Sequence, residues 1–362
     1  MDGQVVQGQF NADNVRLLPL DGLRGVAVLM VVVYHAYARW PELYPFGPAF
    51  RDFAPFKLGH LGVQLFFLIS GFVILMTLEK CGNIRLFLVR RWLRLFPAML
   101  LCSAIIFLSA PLFPERPAGQ PTFSSLIPGL LFADPYWLTK IFGGYWDQIE
   151  GAFWSLYVEA QFYIVFGSLF FLVGRGWSII AITAIFCMSN ILFYLISPSL
   201  SSAPELKNIL HASGFMHYGW FSAGAIFYIY SKEGNARNLV TGIIVALASA
   251  LAMVSWEWRL GSFLIVAAFV GSISSKRLGS IVANPILLFF GFISYPLYLL
   301  HENAMVAMTI KVGTAFPGMP GISMPLGPIL IVIGIAWIVA AFGERKLRAG
   351  IRIAASQILA AR

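Results

Sequence analysis

The chain is 362 residues long, 59% hydrophobic and only 11% charged, with a mean hydropathy of +0.79, a composition outside the range of soluble domains. It reads as a polytopic all-α membrane protein, because each crossing of the bilayer core takes about 20 apolar residues in a helix. The net charge of +9 does not indicate nucleic acid, since the basic residues fall mainly between the apolar runs.

Taken in order, an N-terminal segment over 1–21 precedes a membrane domain over 22–343, and a basic tail follows over 344–362. Within the domain the apolar runs predict ten helices, near 22–40, 59–79, 94–112, 153–173, 177–196, 210–230, 237–255, 258–274, 286–311 and 324–343. Ala36-Tyr37-Ala38 after the first run has the small-residue look of a leader-peptide cleavage site, but Asp13 and Asp21 precede that run, so a retained first span is expected. The stretch 123–142 is apolar yet broken by Pro128 and by Asp134-Pro135, which predicts a re-entrant or interfacial helix instead of a further crossing. Cys81, Cys102 and Cys187 show no metal-ligand spacing and read as inert; no metal is expected.

An even number of spans puts both termini on one side, and the basic residues test this independently of hydropathy. Sixteen Lys and Arg fall in one alternating set of connections, against eight in the other, with Arg24 inside the first span. The bias predicts cytoplasmic termini and an outer position for the longest loop, 113–152.

Ionisable side chains inside a span are costly unless paired or hydrated, so each is a functional candidate. Arg24 and His35 are eleven positions apart, a rotation of about 1,100° that returns to within roughly 20° of the same face and rises roughly 16 Å. They line one stripe; the competing reading is a snorkelling arginine and a core histidine. Arg90, Arg91 and Arg94 cluster before Pro97 at the expected cytoplasmic mouth of the third span, with Arg90 and Arg94 on a shared helical face. Guanidinium groups bind phosphate bidentately, but the cluster also fits anionic-lipid contact or topology control, and taken alone topology control is the stronger explanation.

Trp154-Ser155-Leu156-Tyr157-Val158-Glu159 opens the fourth span and puts a carboxylate at a depth comparable with His35, its expected partner. Ser294-Tyr295-Pro296-Leu297-Tyr298-Leu299-Leu300-His301 gives the ninth span a proline break, two phenols and an imidazole. Ser70, beside Gly71, reads as a small packing residue. His60, His211 and His217 sit near span ends and carry less information.

Together these segments resemble a family, the integral-membrane acyltransferase 3 group, whose members acylate bacterial surface polysaccharides, lipopolysaccharide and nodulation factors. The matching pieces are Leu20-Asp21-Gly22-Leu23-Arg24-Gly25 with His35 after ten intervening residues, the run from Gly62 to Phe72, the basic run from Arg90 to Pro97, the tryptophan motif from Trp154 to Glu159, and the run from Ser294 to His301. The likeness covers roughly residues 16–345, in the family's order. It implies an acyl-CoA co-substrate, acetyl-CoA first among candidates, and a hydroxyl acceptor on a sugar, surface glycan or glycolipid at a bacterial inner membrane. It implies functional roles for Arg24 and His35 and points to the basic motif at Arg90, Arg91 and Arg94. Two departures stand out. Glu159 is followed by Ala160 and Gln161, where relatives often carry a second acid. Many relatives continue into a soluble esterase-like domain, so this chain is expected to act alone or with a partner.

The expected mechanism holds CoA phosphates on the cytoplasmic arginines, uses His35 as general base on the acceptor hydroxyl, lets Glu159 orient the imidazole, and gives Arg24 to the thioester. Trp154, Tyr157, Tyr295, Tyr298 and His301 are the expected substrate-binding side chains. A covalent acyl-enzyme through Ser70 or a tyrosine competes with direct transfer. A transporter or flippase of a polar lipid-linked sugar competes as a class and predicts flux without covalent change. The lipid bilayer and an envelope acceptor are the expected partners, with no nucleic acid.

Overall fold

The computed structural model describes residues 12–196, 204–344, 346, 347 and 350. Among these residues every extended regular element is helical: α1 (Ala12–Tyr37), α2 (Ala54–Lys57), α3 (Gly62–Leu78), α4 (Ile84–Ser109), α5 (Leu126–Leu131), α6 (Pro135–Phe142), α7 (Trp154–Ile196) and α8 (Pro204–Ser213). The order continues with α9 (Tyr218–Glu233), α10 (Ala236–Leu251), α11 (Trp256–Ser274), α12 (Lys276–Val282), α13 (Pro285–Leu300), α14 (Asn303–Ala315) and α15 (Leu326–Ile338). Most of the basic tail expected over 344–362 lies outside the described residues, as do residues 1–11.

Among the described residues six helical stretches are long and apolar enough to cross a membrane: Leu18–Tyr37, Ala54–Leu78, Ile84–Leu112, Gly151–Leu195, Trp256–Ser274 and Leu326–Gly343. A seventh arises if α12 and α13, bent by 63°, form one span. By this measure the expected ten are not reached. Gly151–Leu195 is a single 45-residue stretch where two spans are expected, broken at Gly174, whose φ of 82° and ψ of 172° no helix tolerates. Helices α9 and α10 have 16 residues each, short of the ~20 of a straight crossing. Over 123–142, α5 and α6 have 6 and 8 residues. Neither is long enough to cross, in keeping with the interruptions at Pro128 and Pro135.

Two helix pairs approach at backbone distance through glycine, as expected where small residues replace the hydrophobic drive that lipid removes. In the α1–α13 pair, a Cβ on Gly25 would run into the carbonyl of Leu287, and one on Gly291 into that of Asp21. In the α3–α9 pair, Gly71 faces the carbonyl of Phe221 and Gly224 that of Leu68. Aromatic rings fill the centre behind these contacts, with Phe67, Phe162 and Phe221 stacked at centroid distances of 4.6 and 4.2 Å.

At the Gly174 break in α7, three elements are tied by charge. Arg175 reaches Glu79 at 3.2 Å and Glu233 at 3.0 Å, Lys232 reaches Glu79 at 2.6 Å, and the Tyr228 hydroxyl donates to Glu79 at 2.8 Å. Partial burial pushes the Glu79 carboxyl up, but the hydrogen bonds from Lys232, Tyr228 and Arg175 outweigh it and hold the group below its ordinary 4.5. A depressed carboxylate stabilises the fold above its unfolded-state value and loses that contribution as pH falls through the folded one. Glu79→Gln is therefore expected to lower the melting temperature of the detergent-solubilised protein by a few degrees at neutral pH. The gap to the wild type should close by about pH 3, as read from thermal unfolding across a pH series.

Candidate functional site

The close α1–α13 crossing sets the last turn of α1 against the end of α13 and brings two imidazoles together: His35 Nδ1 lies 3.1 Å from His301 Nε2, with ring centroids 4.7 Å apart. The hydrogen bonds fix which nitrogens carry protons when both rings are neutral. His301 Nδ1 sits 2.7 Å from the carbonyl of Tyr298; a carbonyl only accepts, so Nδ1 donates and Nε2 keeps its lone pair. His35 Nδ1 lies 2.9 Å from the carbonyl of Val31, so it too donates, shared between Val31 and His301. The lone pair of His35 is thereby left on Nε2, which faces Glu302 Oε1 at 3.9 Å. Tyr44 further pins this end of α1 by donating its hydroxyl to the carbonyl of His35.

Glu302 is itself held. Its Oε2 accepts the backbone N–H of Ala152 at 2.5 Å, just before α7. The neighbouring Asn303 donates its backbone N–H and its side-chain amide to Glu150 Oε2 at 3.0 and 2.6 Å, and Arg116 stands 3.4 Å from Glu150 Oε1. Burial first and the nearby Glu302 carboxylate second raise the Glu150 carboxyl above its usual range, against the pull of Arg116 and Asn303. The start of α7 and the loop over 113–150 are thus locked to the residue facing His35.

Deeper between α1, α3, α4, α7 and α13 lies a polar chamber of about 80 Å³. Its polar wall includes Arg24, Arg91, Arg94, Ser70, Glu159 and Tyr295, so three guanidinium groups face a single carboxylate. Arg24 pairs with Asp21 at 2.6 Å, one turn earlier in α1. Arg91 donates to the carbonyl of Val73 at 3.1 Å and to the hydroxyl of Thr77, and lies 5.6 and 5.5 Å from the rings of Phe87 and Tyr163. Glu159 Oε1 accepts from Ser70 at 2.6 Å and from Tyr163 at 2.7 Å. Tyr298 belongs to both regions: it lines the chamber, its ring lies 5.4 Å from His301, and its hydroxyl bonds Ser155 at 2.7 Å and the carbonyl of Ala152 at 3.0 Å.

The residues singled out from sequence are only partly drawn together. Arg24, Arg91, Arg94, Glu159, Tyr295 and Tyr298 meet at the chamber, while His35 and His301 pair above it. The expected pairing of His35 with Glu159 is not formed, because Glu159 turns to Ser70 and Tyr163 and the carboxylate facing His35 is Glu302. Arg90 is exposed, with its guanidinium 3.5 Å from Cys81 Sγ, so the chamber takes Arg91 and Arg94, three positions apart, and not the Arg90–Arg94 face. Tyr157 is fully buried, lines neither described cavity, and its hydroxyl has no hydrogen-bond partner among the described residues. Trp154 faces a second cavity. Glu302, Glu150, Asn303 and Arg116 were not anticipated; the signal was a second ionisable residue directly after His301 and an acid four residues before Trp154. Among the described residues no cluster of three or more His, Cys, Asp or Glu is arranged to hold a metal.

This architecture defines a multi-pass helical membrane protein with a cationic chamber beside a paired histidine and carboxylate. Residues 18–343 match the family model described as an acyltransferase domain, and the chain belongs to that acyltransferase 3 family. It is 24% identical over 350 residues to a provisionally named O-acetyltransferase of Staphylococcus aureus, covering 79% of this chain and 50% of the relative. It is 28% identical over 170 residues to the peptidoglycan O-acetyltransferase OatA of Listeria monocytogenes, and 32% over 171 residues to a provisionally named peptidoglycan O-acetyltransferase, YrhL, of Bacillus subtilis; each covers 44% of this chain and 24% of the relative. The chain thus spans about half the length of the Staphylococcus relatives it matches. No solved structure matches it.

The geometry gives the place beside His35 to Glu302 and ties Glu159 to Ser70 and Tyr163. Glu302→Gln keeps the shape and the acceptor for Ala152 N–H but removes the charge facing His35, and is expected to cut acyl transfer by roughly 10²-fold or more, in the range of acid–base contributions. Ser70→Ala, which deletes one bond to Glu159, is expected to cost less than tenfold, about 1 kcal/mol for a single hydrogen bond. Steady-state rates in membrane vesicles check both.

Proposed function

We propose that the protein is a membrane-bound O-acyltransferase that moves an acyl group, acetyl in the first instance, from cytoplasmic acyl-CoA to a hydroxyl of an envelope glycan or glycolipid. The observation that carries this reading is His35 Nε2, left with its lone pair by the His35–His301–Tyr298 hydrogen-bond chain and faced by Glu302, in a chain of the acyltransferase 3 family. The names of the Staphylococcus, Listeria and Bacillus relatives, all O-acetyltransferases, support acetyl as the group and a wall glycan as an acceptor class.

In this reading the acceptor hydroxyl attacks the thioester carbonyl as His35 Nε2 takes its proton. The C–S bond then breaks, and the leaving thiolate takes up a proton to give free CoA thiol and the O-acyl ester. Glu302 stabilises the imidazolium that forms, and His301 holds the ring so that Nε2 is the basic atom. Arg24, Arg91 and Arg94 give the chamber the charge to hold an anionic donor and the developing oxyanion. Arg90, outside the chamber, is not assigned to the donor. His301 positions the base, and Tyr298 is assigned to the passage between donor and acceptor.

The excess of Lys and Arg in one set of connections supports cytoplasmic termini in a bacterial inner membrane. Ten traversals remain the proposed topology: α7 would turn back at Gly174, where Arg175 joins Glu79 and Glu233 from the ends of α3 and α9.

Sealed vesicles supplied with labelled acetyl-CoA on the cytoplasmic side and peptidoglycan fragments on the other test the reading. His35→Ala is expected to lower label transfer by at least 10² while inserting normally. Arg94→Ala is expected to raise KM for acetyl-CoA roughly tenfold or more with little change in acceptor KM, as for loss of a charged hydrogen bond. Full transfer by His35→Ala would remove it as the base, and flux of glycan without acylation would make the protein a transporter.

A further inference from the structure

A second cavity, of about 460 Å³, opens beside the start of α7 and is lined by Asp134, Tyr136, Trp154, Val158, Asn208, His211, Ala212 and His217. We propose that it is a saccharide-binding subsite, holding a sugar unit of the acceptor next to the unit being acylated. The proposal rests on the acyltransferase reading for the role of the sugar, but not for its binding.

The lining has the chemistry of a neutral polyhydroxylated ring. Trp154 supplies an aromatic wall, with the His217 ring 5.2 Å from it, and aromatic faces pack against the C–H side of a sugar while leaving its hydroxyls free. The hydroxyls would meet the amide of Asn208, the imidazoles of His211 and His217, and Asp134. Among the described residues none of the side chains of Asn208, His211 or His217 makes a hydrogen bond, and Asp134 uses only Oδ1, for the N–H of Tyr136 at 2.9 Å. Asn208 and His211 are exposed, so in the free protein they meet water, which the hydroxyls of a bound sugar would replace with like hydrogen bonds.

Other ligand classes fit worse. No Lys or Arg lines the cavity, so nothing offers the charge an anionic phosphate requires. A single carboxylate is too few for a cation. A lipid tail would leave the amide and imidazoles unpaired. The rim is charged, with Lys140 paired to Glu205 at 2.5 Å and Tyr136 donating to Glu205 at 2.8 Å, so the mouth meets water and not hydrocarbon.

Its place along the chain suits an adjoining unit. Ala152, which holds Glu302, and Trp154, the aromatic wall, are two residues apart, a reach of roughly 7 Å at most. Trp154 and Val158 face this cavity, while Ser155 and Glu159, on the next strip of the helix, face the chamber. One helix thus presents one face to the donor side and the adjacent face to the sugar.

The test uses the full chain in nanodiscs and two probes, free chitotriose and chitotriose carried on a dodecyl chain, with affinity measured by ligand-observed saturation-transfer NMR. The expected result is binding of free chitotriose that weakens at least tenfold in Asn208→Ala/His211→Ala and in Trp154→Ala, recovers in part in Trp154→Phe, and persists in His35→Ala. In transfer assays the double variant should raise acceptor KM about tenfold, with kcat and the KM for acetyl-CoA within twofold. Equal binding by wild type and double variant, absence of binding of both probes, or binding of the dodecyl probe alone would overturn the proposal. Saccharide binding that depends on Asn208 and His211 in a protein whose transfer does not depend on His35 would sink the catalytic reading and leave the subsite standing.

Discussion

The distance between α1 and α13 governs this molecule. A histidine pair 3.1 Å apart joins the last turn of α1 to the residue that caps α13, and elsewhere along the same crossing the two backbones lie closer than ordinary side chains permit. Gly25 and Gly291 allow it by each giving way to a carbonyl of the other helix. In water such contact would be driven by burying apolar surface; in lipid that drive is weak, and close packing with interhelical hydrogen bonds replaces it. The crossing is therefore the structural joint that brings the rings together, while the carbonyls of Val31 and Tyr298 select which imidazole nitrogen is basic. The site's chemistry depends on a separation fixed well below it in the helix.

Much of this site is legible in the sequence because a helix is a ruler. The eleven-residue interval between Arg24 and His35 does place them on one stripe, one toward the chamber and the other at the histidine pair. The same ruler fails between helices. Linear depth makes Glu159 a natural partner for His35, but depth says nothing about which helix lies on which side. Glu302, beyond the end of α13, comes into place only through the fold. For the arginines, a shared face at four-residue spacing favours Arg90 with Arg94, whereas α4 buries Arg91 and sets the exposed Arg94 at the chamber's edge, with Arg90 outside it. The span count was read from apolar runs, and helices α9 and α10 are shorter than those runs suggest.

The buried ionic network above the histidines calls for a reason other than stability. Taking charges such as those of Arg116 and Glu150, each about 1% exposed in its side chain, out of water costs at least as much as their attraction returns in many proteins. What the network secures is register. Arg116 donates to the carbonyl of Ile149 at 2.9 Å, and Ala118 donates its N–H to Asn303 at 2.9 Å. The two ends of the long loop and the residue after Glu302 thus hold one another at fixed spacing. Apolar packing could supply comparable energy but would not specify the position of a carboxylate to within a hydrogen bond.

A polar chamber and a histidine pair in one membrane domain, if joined by a continuous file of water, would form a proton wire. Tyr298 stands where they adjoin, its hydroxyl engaged by Ser155 and the carbonyl of Ala152 and its ring 5.8 Å from that of Phe66. The Tyr298 hydroxyl commits its one proton to the carbonyl of Ala152, so among the described residues it does not relay protons between the histidine pair and the arginine-lined chamber.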